Sequence, residues 1–142
     1  MAGFIGEYSH TISGKGRLIV PSRFRERLGE EFVVTKGLDG CLCAYAQSDW
    51  DRFEEKISEL HLTDPKARNF SRQFLGGATL CETDAQGRIL IPQKLRDYAG
   101  LTKDVTLVGV GTRVEIWDSG TWEKVSSMDA DEMAKNMEDL GI

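Results

Sequence analysis

Two short stretches of this sequence carry cations at positions where a tight turn would present them to solvent. Ser13-Gly-Lys-Gly-Arg17 and Asp84-Ala-Gln-Gly-Arg88 each open on a side-chain acceptor and place a glycine three residues later. A tight turn favours Ser, Asn or Asp first and Gly last, so Ser13 with Gly16 and Asp84 with Gly87 are expected to shape two turns. Lys15 and Arg17 are two residues apart, which on a strand puts both on one side, about 6.6 Å apart. Such a pair reaches adjacent phosphates, or one phosphate and a base edge, and arginine is the side chain best shaped to read guanine. A solvated basic loop is the plain alternative.

Further cations follow the first stretch. Residues 14–28 hold Lys15, Arg17, Arg23, Arg25 and Arg27 against Glu26 alone, a local charge of +4. On a helix Arg23 and Arg27 share a face, whereas Arg25 is displaced by roughly 160–200°. Arg23 and Arg27 are therefore expected to add non-specific phosphate attraction. Arg25 has a counterpart in Arg96, and a structural ion pair is the expectation for both. Lys66, Arg68 and Arg72 read as a solvated helix face.

Other chemistry finds little support. Cys41 and Cys43 are spaced C-x-C, and with Cys81, His10 and His61 they lack the paired C-x-x-C spacing of a zinc site. Buried small side chains are the expectation, with no metal and no cofactor. Gly109-Val-Gly111 lacks the third glycine and the following helix of a nucleotide loop, and reads as a turn. No G-x-S-x-G, P-loop or local nucleophile–base pair occurs, so neither an enzyme nor a small-molecule substrate is expected.

The elements that must position these residues are written twice. Residues 13–29 recur as 84–100, with Gly16/Gly87, Arg17/Arg88, Pro21/Pro92, Arg25/Arg96 and Gly29/Gly100 identical at one constant offset. Arg17 to Val20 and Arg88 to Ile91 read as short strands, each ended by a proline that opens a helix which glycine then closes. Phe32–Thr35 and Val105–Val108 read as the next strands, and the last strands end near Tyr45 and Trp117. First strands are expected around Tyr8–Ile12 and Thr79–Thr83. A unit of roughly 45 residues is a marginal basis for a core, so two would do better interleaved as one barrel than standing apart.

The resulting fold class is α+β and β-rich. Its expected divisions are a first module at 7–49, a helical connector at 50–77, a second module at 78–121 and an acidic helical tail at 122–142. In the connector, Trp50, Phe53, Ile57 and Leu60 form one stripe that is expected to be buried, and Ser48 to Asp51 resembles a capping box. Ala67, Phe70 and Phe74 share one side of a second helix. Ala130, Met133, Met137 and Leu140 repeat the helical spacing in the tail. These faces need cover, part of it expected from a neighbouring subunit.

The 142 residues have a net charge of −5, which taken alone argues against a nucleic-acid partner. Residues 118–142 account for that whole charge, leaving the first 117 neutral. No apolar run approaches the ~18–20 residues needed to span a membrane, and Met1 to Ile5 lacks the basic start of a signal peptide. A cytoplasmic protein with reduced thiols is expected.

At this point the residues resemble a family. The turn–strand unit is similar to the SpoVT/AbrB-type DNA-binding module, and two copies joined by a helical segment resemble the MraZ family. Phe4 to His10, Gly14 to Pro21 and Asp84 to Pro92 carry the likeness, which covers nearly the whole chain. The resemblance implies tandem swapped-hairpin half-barrels packed as one barrel, with connecting and C-terminal helices. It also implies a closed, ring-like homo-oligomer and a nucleoid-associated transcriptional regulator acting upstream of cell-division and cell-wall genes. An Asp-x-x-x-Arg motif with its neighbouring lysine would contact double-stranded DNA. Asp84 and Arg88 match that motif, and the first copy has Ser13 where the aspartate is expected. The competing reading is an oligomeric interaction or scaffold protein of the same fold.

Overall fold

The computed structural model describes residues 3–142; Met1 and Ala2, the first residues of the N-terminal stretch considered above, lie outside the described residues. The first copy supplies β1 (Glu7–Thr11), β2 (Arg17–Ile19), α1 (Ser22–Leu28), β3 (Glu31–Lys36) and β4 (Leu42–Ala46). Helices α2 (Gln47–Ser58) and α3 (Pro65–Phe74) connect it to the second copy. That copy comprises β5 (Thr79–Glu82), β6 (Arg88–Leu90), α4 (Gln93–Ala99), β7 (Asp104–Val110) and β8 (Arg113–Asp118), followed by α5 (Ser119–Val125) and α6 (Ala130–Leu140).

The copies are interleaved. Strand order in the larger sheet is β1-β7-β8-β4-β3-β5, all antiparallel, so each copy's first strand pairs with the other copy's third. The second strands leave that sheet and pair with each other, Arg17 opposite Leu90, Leu18 opposite Ile89 and Ile19 opposite Arg88. Each hairpin therefore finds its ladder partner in the other half of the chain. Neither half keeps its sheet alone.

Burial explains why this arrangement holds. Along β2 and β6 and the residue that follows each, period-two alternation turns Leu18, Val20, Ile89 and Ile91 inward, all at most 1% exposed. Phe24 and Leu28 on α1, with Leu95 and Ala99 on α4, pack into the same cluster as Phe32, Val34, Val105, Leu107, Val114 and Ile116. Both halves contribute to one core, which removes the deficit each would have alone.

A second cluster covers the outer face of the sheet. Cys41, Cys43, Tyr45 and Trp117 meet Ile57 of α2 and Phe74 of α3, with Trp50 and Trp122 packed against them. Phe74 is the hub, with ring centroids 5.0 Å from Phe53, 5.3 Å from Phe70 and 5.4 Å from Trp50. The expected burial of the whole stripe needs correction. Ile57 is buried, but Phe53 is 37% exposed and Leu60 44%, because Phe74 takes the central place and Phe53 lies over it with one side to solvent. The capping box is also absent. Helix α2 starts at Gln47, with Ala46 as N-cap and no side-chain cap, so Ser48 already lies inside the first turn.

The large aromatic deletion should therefore be costly at Phe74 rather than at Phe53. Phe74→Ala is expected to lose about 3–5 kcal/mol, the range for a buried Phe, and Phe53→Ala clearly less. Urea unfolding of the two variants measures both, and an equal loss would contradict the hub. Helix α6 leaves Met133, Met137 and Leu140 48–73% exposed.

Candidate nucleic-acid interface

The β2–β6 ribbon and its two turns form the site. Inward residues anchor the ribbon, which leaves Arg17 and Ile19 of one strand and Arg88 and Leu90 of the other on its outer face. Arg17 and Arg88 are diagonal neighbours across the pair, a separation of roughly 7–8 Å. A near two-fold relation between Leu18 and Ile89 makes the two ends of the face alike.

Each turn closes on its acceptor. The Arg88 backbone N–H donates to Asp84 Oδ1 at 2.9 Å, as does that of Gln86, and Arg88 Nε donates to Asp84 Oδ2 at 2.9 Å. Ser13 Oγ performs the backbone part alone, accepting from the Arg17 N–H at 3.1 Å. These bonds, led by the Arg88 backbone N–H, hold the Asp84 carboxyl below its ordinary value. Arg88 is thus ion-paired, while Arg17 and Lys15 are exposed and form no salt bridge among the described residues.

The turns are braced from the opposite copy. Gly16 has φ of +85°, and a Cβ there would sit 2.7 Å from the Ile91 carbonyl and 2.8 Å from Arg96 Nε. Gly87 has φ of +78°, with Arg25 packed against it in the same way. The Gly16 carbonyl accepts from the Ile91 N–H at 2.8 Å, and the Gly87 carbonyl from the Val20 N–H at 2.9 Å. Only glycine satisfies both the conformation and the close approach.

Arg25 and Arg96 do support the turns, but not as ion pairs. Arg25 Nε donates to the Val20 carbonyl at 2.8 Å and Arg96 Nε to the Ile91 carbonyl at 2.9 Å. The physical reason lies at the strand ends, where the proline turn takes the chain out of the ladder and leaves a carbonyl for the guanidinium. Arg27, expected to add phosphate attraction, is engaged within the chain. Its guanidinium lies 4.6 Å over the Phe4 ring, 3.4 Å from buried Asp49 and 3.2 Å from the Gly111 carbonyl. Asp49 also pairs with Arg52. Arg23 is exposed and without a salt bridge among the described residues, so it stays available.

Cys81 packs in the core beneath the ribbon, its Sγ 3.8 Å from the Leu90 carbonyl, whereas Cys41 and Cys43 belong to the second cluster. Cys41, Cys43 and Glu115 bring one donor atom each within 4.8 Å of one another. Glu115 already accepts from Arg113 at 3.0 Å and from the Trp117 indole at 3.1 Å. The Cys41 thiol is pushed up, chiefly by its hydrogen bond to Cys43, whose own thiol the same bond pulls down. No helix among the described residues is long and apolar enough to cross a membrane.

The family described as "MraZ protein, putative antitoxin-like" matches residues 4–73 and again 74–140. This chain belongs to the MraZ family. Three relatives, each named transcriptional regulator MraZ, are similar along almost their full length. That of Acetivibrio thermocellus is 54% identical over 98% of this chain and 99% of its own. That of Caldicellulosiruptor bescii is 52% identical over 97% and 99%, and that of Desulfitobacterium hafniense 56% over 96% of each. The matched MraZ segments follow the two copies, and the ribbon takes one strand from each.

The sequence reading missed what accompanies the arginines. Ile19 and Leu90 lie on the same outer face, 42% and 50% exposed. The alternation within Arg17-Leu-Ile-Val20 already carried that signal.

Proposed function

We propose that this MraZ-family chain is a sequence-specific regulator of transcription that binds double-stranded DNA through the β2–β6 ribbon. The observation that carries this reading is a two-stranded antiparallel ribbon with Arg17 and Arg88 on its free face. A ribbon of that kind fits the major groove, about 12 Å wide, where arginine distinguishes guanine from other bases. Lys15 and Arg23 serve phosphates, and the turns Ser13–Gly16 and Asp84–Gly87, braced by Arg96 and Arg25, hold the arginines in place. Relatives named as transcriptional regulators favour regulation over catalysis.

The finer reading has the chain act as a closed homo-oligomer on repeated short motifs upstream of cell-division and cell-wall genes, in the cytoplasm at the nucleoid. Its working divisions are the modules at 7–49 and 78–121, the connector at 50–77 and the tail at 122–142. The exposed parts of Leu60, Leu62, Phe70, Met133, Met137 and Leu140 supply apolar surface for subunit contacts. The test is a gel shift on DNA from upstream of the chain's own gene, with salt titration and unrelated competitor. Retention of the shift under competitor supports the reading. Binding that competitor DNA abolishes at equal mass would instead favour an interaction or scaffold protein of this fold.

A further inference from the structure

The outer face of the ribbon is not uniformly cationic. Ile19 stands opposite Arg88 and Leu90 opposite Arg17, so each arginine has a large aliphatic neighbour across the ladder and another two residues along its own strand. Both aliphatics are exposed, while every other residue of the two strands either turns inward or is one of the arginines. Scattered surface aliphatics need no explanation, but these two occupy corresponding positions in both copies on the face that carries the free cation. A purely electrostatic surface would gain from polar residues there.

We propose that Ile19 and Leu90 are specificity-determining contacts that seat against the C5-methyl groups of thymine in the major groove. The inference rests on the DNA-binding reading above and says which bases the ribbon selects. Along one strand, residues two apart are separated by about 6.6 Å, close to two base steps of roughly 3.4 Å. An arginine reading guanine therefore places its aliphatic neighbour over a base about two steps away. The thymine methyl is the apolar group that the major groove offers at a base edge. Charge supports DNA as the occupant, since Arg17, Lys15 and the half-exposed Arg88 surround the two side chains. A second copy of this acidic chain would have to place apolar surface among those cations.

The experiment compares two duplexes of the same upstream fragment, one made with thymine and one with uracil throughout, which deletes only the methyl groups. Wild-type protein should bind the uracil duplex more weakly by about three- to fivefold for each methyl covered, the size expected for burying one methyl. The variant Ile19→Ala/Leu90→Ala should bind both duplexes equally, with the salt slope of the wild type, because no phosphate contact changes. The single variants Ile19→Ser and Leu90→Ser, which carry no methyl on the outer face, provide a folded control should the double variant unfold. Equal wild-type affinity for the two duplexes would overturn the proposal while leaving DNA binding intact. So would a variant that changes subunit number in light scattering yet still prefers thymine. Absence of competitor-resistant binding to the thymine duplex would remove the DNA-binding reading itself, a separate result.

Discussion

A duplex with one recognition repeat should bind this protein about 10²- to 10⁴-fold more weakly than a duplex carrying several in register, the gain expected from linked sites. The ribbon of one chain offers few free cations. Lys15, Arg17 and Arg23 are exposed without salt bridges among the described residues, Arg88 is tied to Asp84, and Arg27 is taken up by Asp49 and Phe4. Three phosphates neutralised would give a salt slope of about −3 on a logarithmic plot, too shallow for tight binding at physiological salt. The chain is acidic as well, so its long-range field does not compensate. Several ribbons facing one duplex multiply the slope and convert later contacts into intramolecular ones. Affinity measured on one-, two- and three-repeat duplexes over a salt series, with light scattering on the free protein, checks this. A monomer that binds one repeat as tightly as three would refute it.

What could be read from the residues divides along range. The repeat was local and explicit, so the strands, the proline-to-glycine helices and both turns stood in the sequence, and the marginal size of each copy pointed to interleaving. The structure realises that interleaving through β1 on β7, β5 on β3 and β2 on β6. The partners of Arg27 were not legible, for the opposite reason. Its partners, Asp49 and the Gly111 carbonyl, lie 22 and 84 residues away, beyond any helical face argument. The same limit applies to Phe53, since a helical stripe shows which residues share a side but not that Phe74 would occupy its centre. Arg25 and Arg96 recur because each braces the other copy's turn, a relation that recurrence reveals and spacing does not.

The two arginines of the ribbon should differ in consequence, and Arg17→Ala is expected to weaken binding more than Arg88→Ala. Arg17 has no salt-bridge partner to surrender, and its turn is held through the Ser13 hydroxyl and its own backbone N–H. If it reads a guanine edge, its loss amounts to about 1–3 kcal/mol per contact and relaxes base preference there. Arg88 reaches DNA only by sharing or leaving Asp84, and a half-exposed pair of that kind is worth about 0–1 kcal/mol. The net contribution of Arg88 is smaller by up to that amount, roughly a fivefold difference in affinity. The Asp84 side chain would still accept from the Arg88 and Gln86 backbone, so the turn itself should survive the substitution. Lys15→Ala serves as the contrast, lowering the salt slope by about one unit per bound subunit while leaving base preference unchanged. Binding of all three variants to specific and scrambled duplexes at several salt concentrations measures these differences, once each is shown to assemble like the wild type. An equal or larger loss for Arg88→Ala would reverse the assignment. Pairing with Asp84 would then orient the principal reader, and the serine at position 13 would mark the weaker copy.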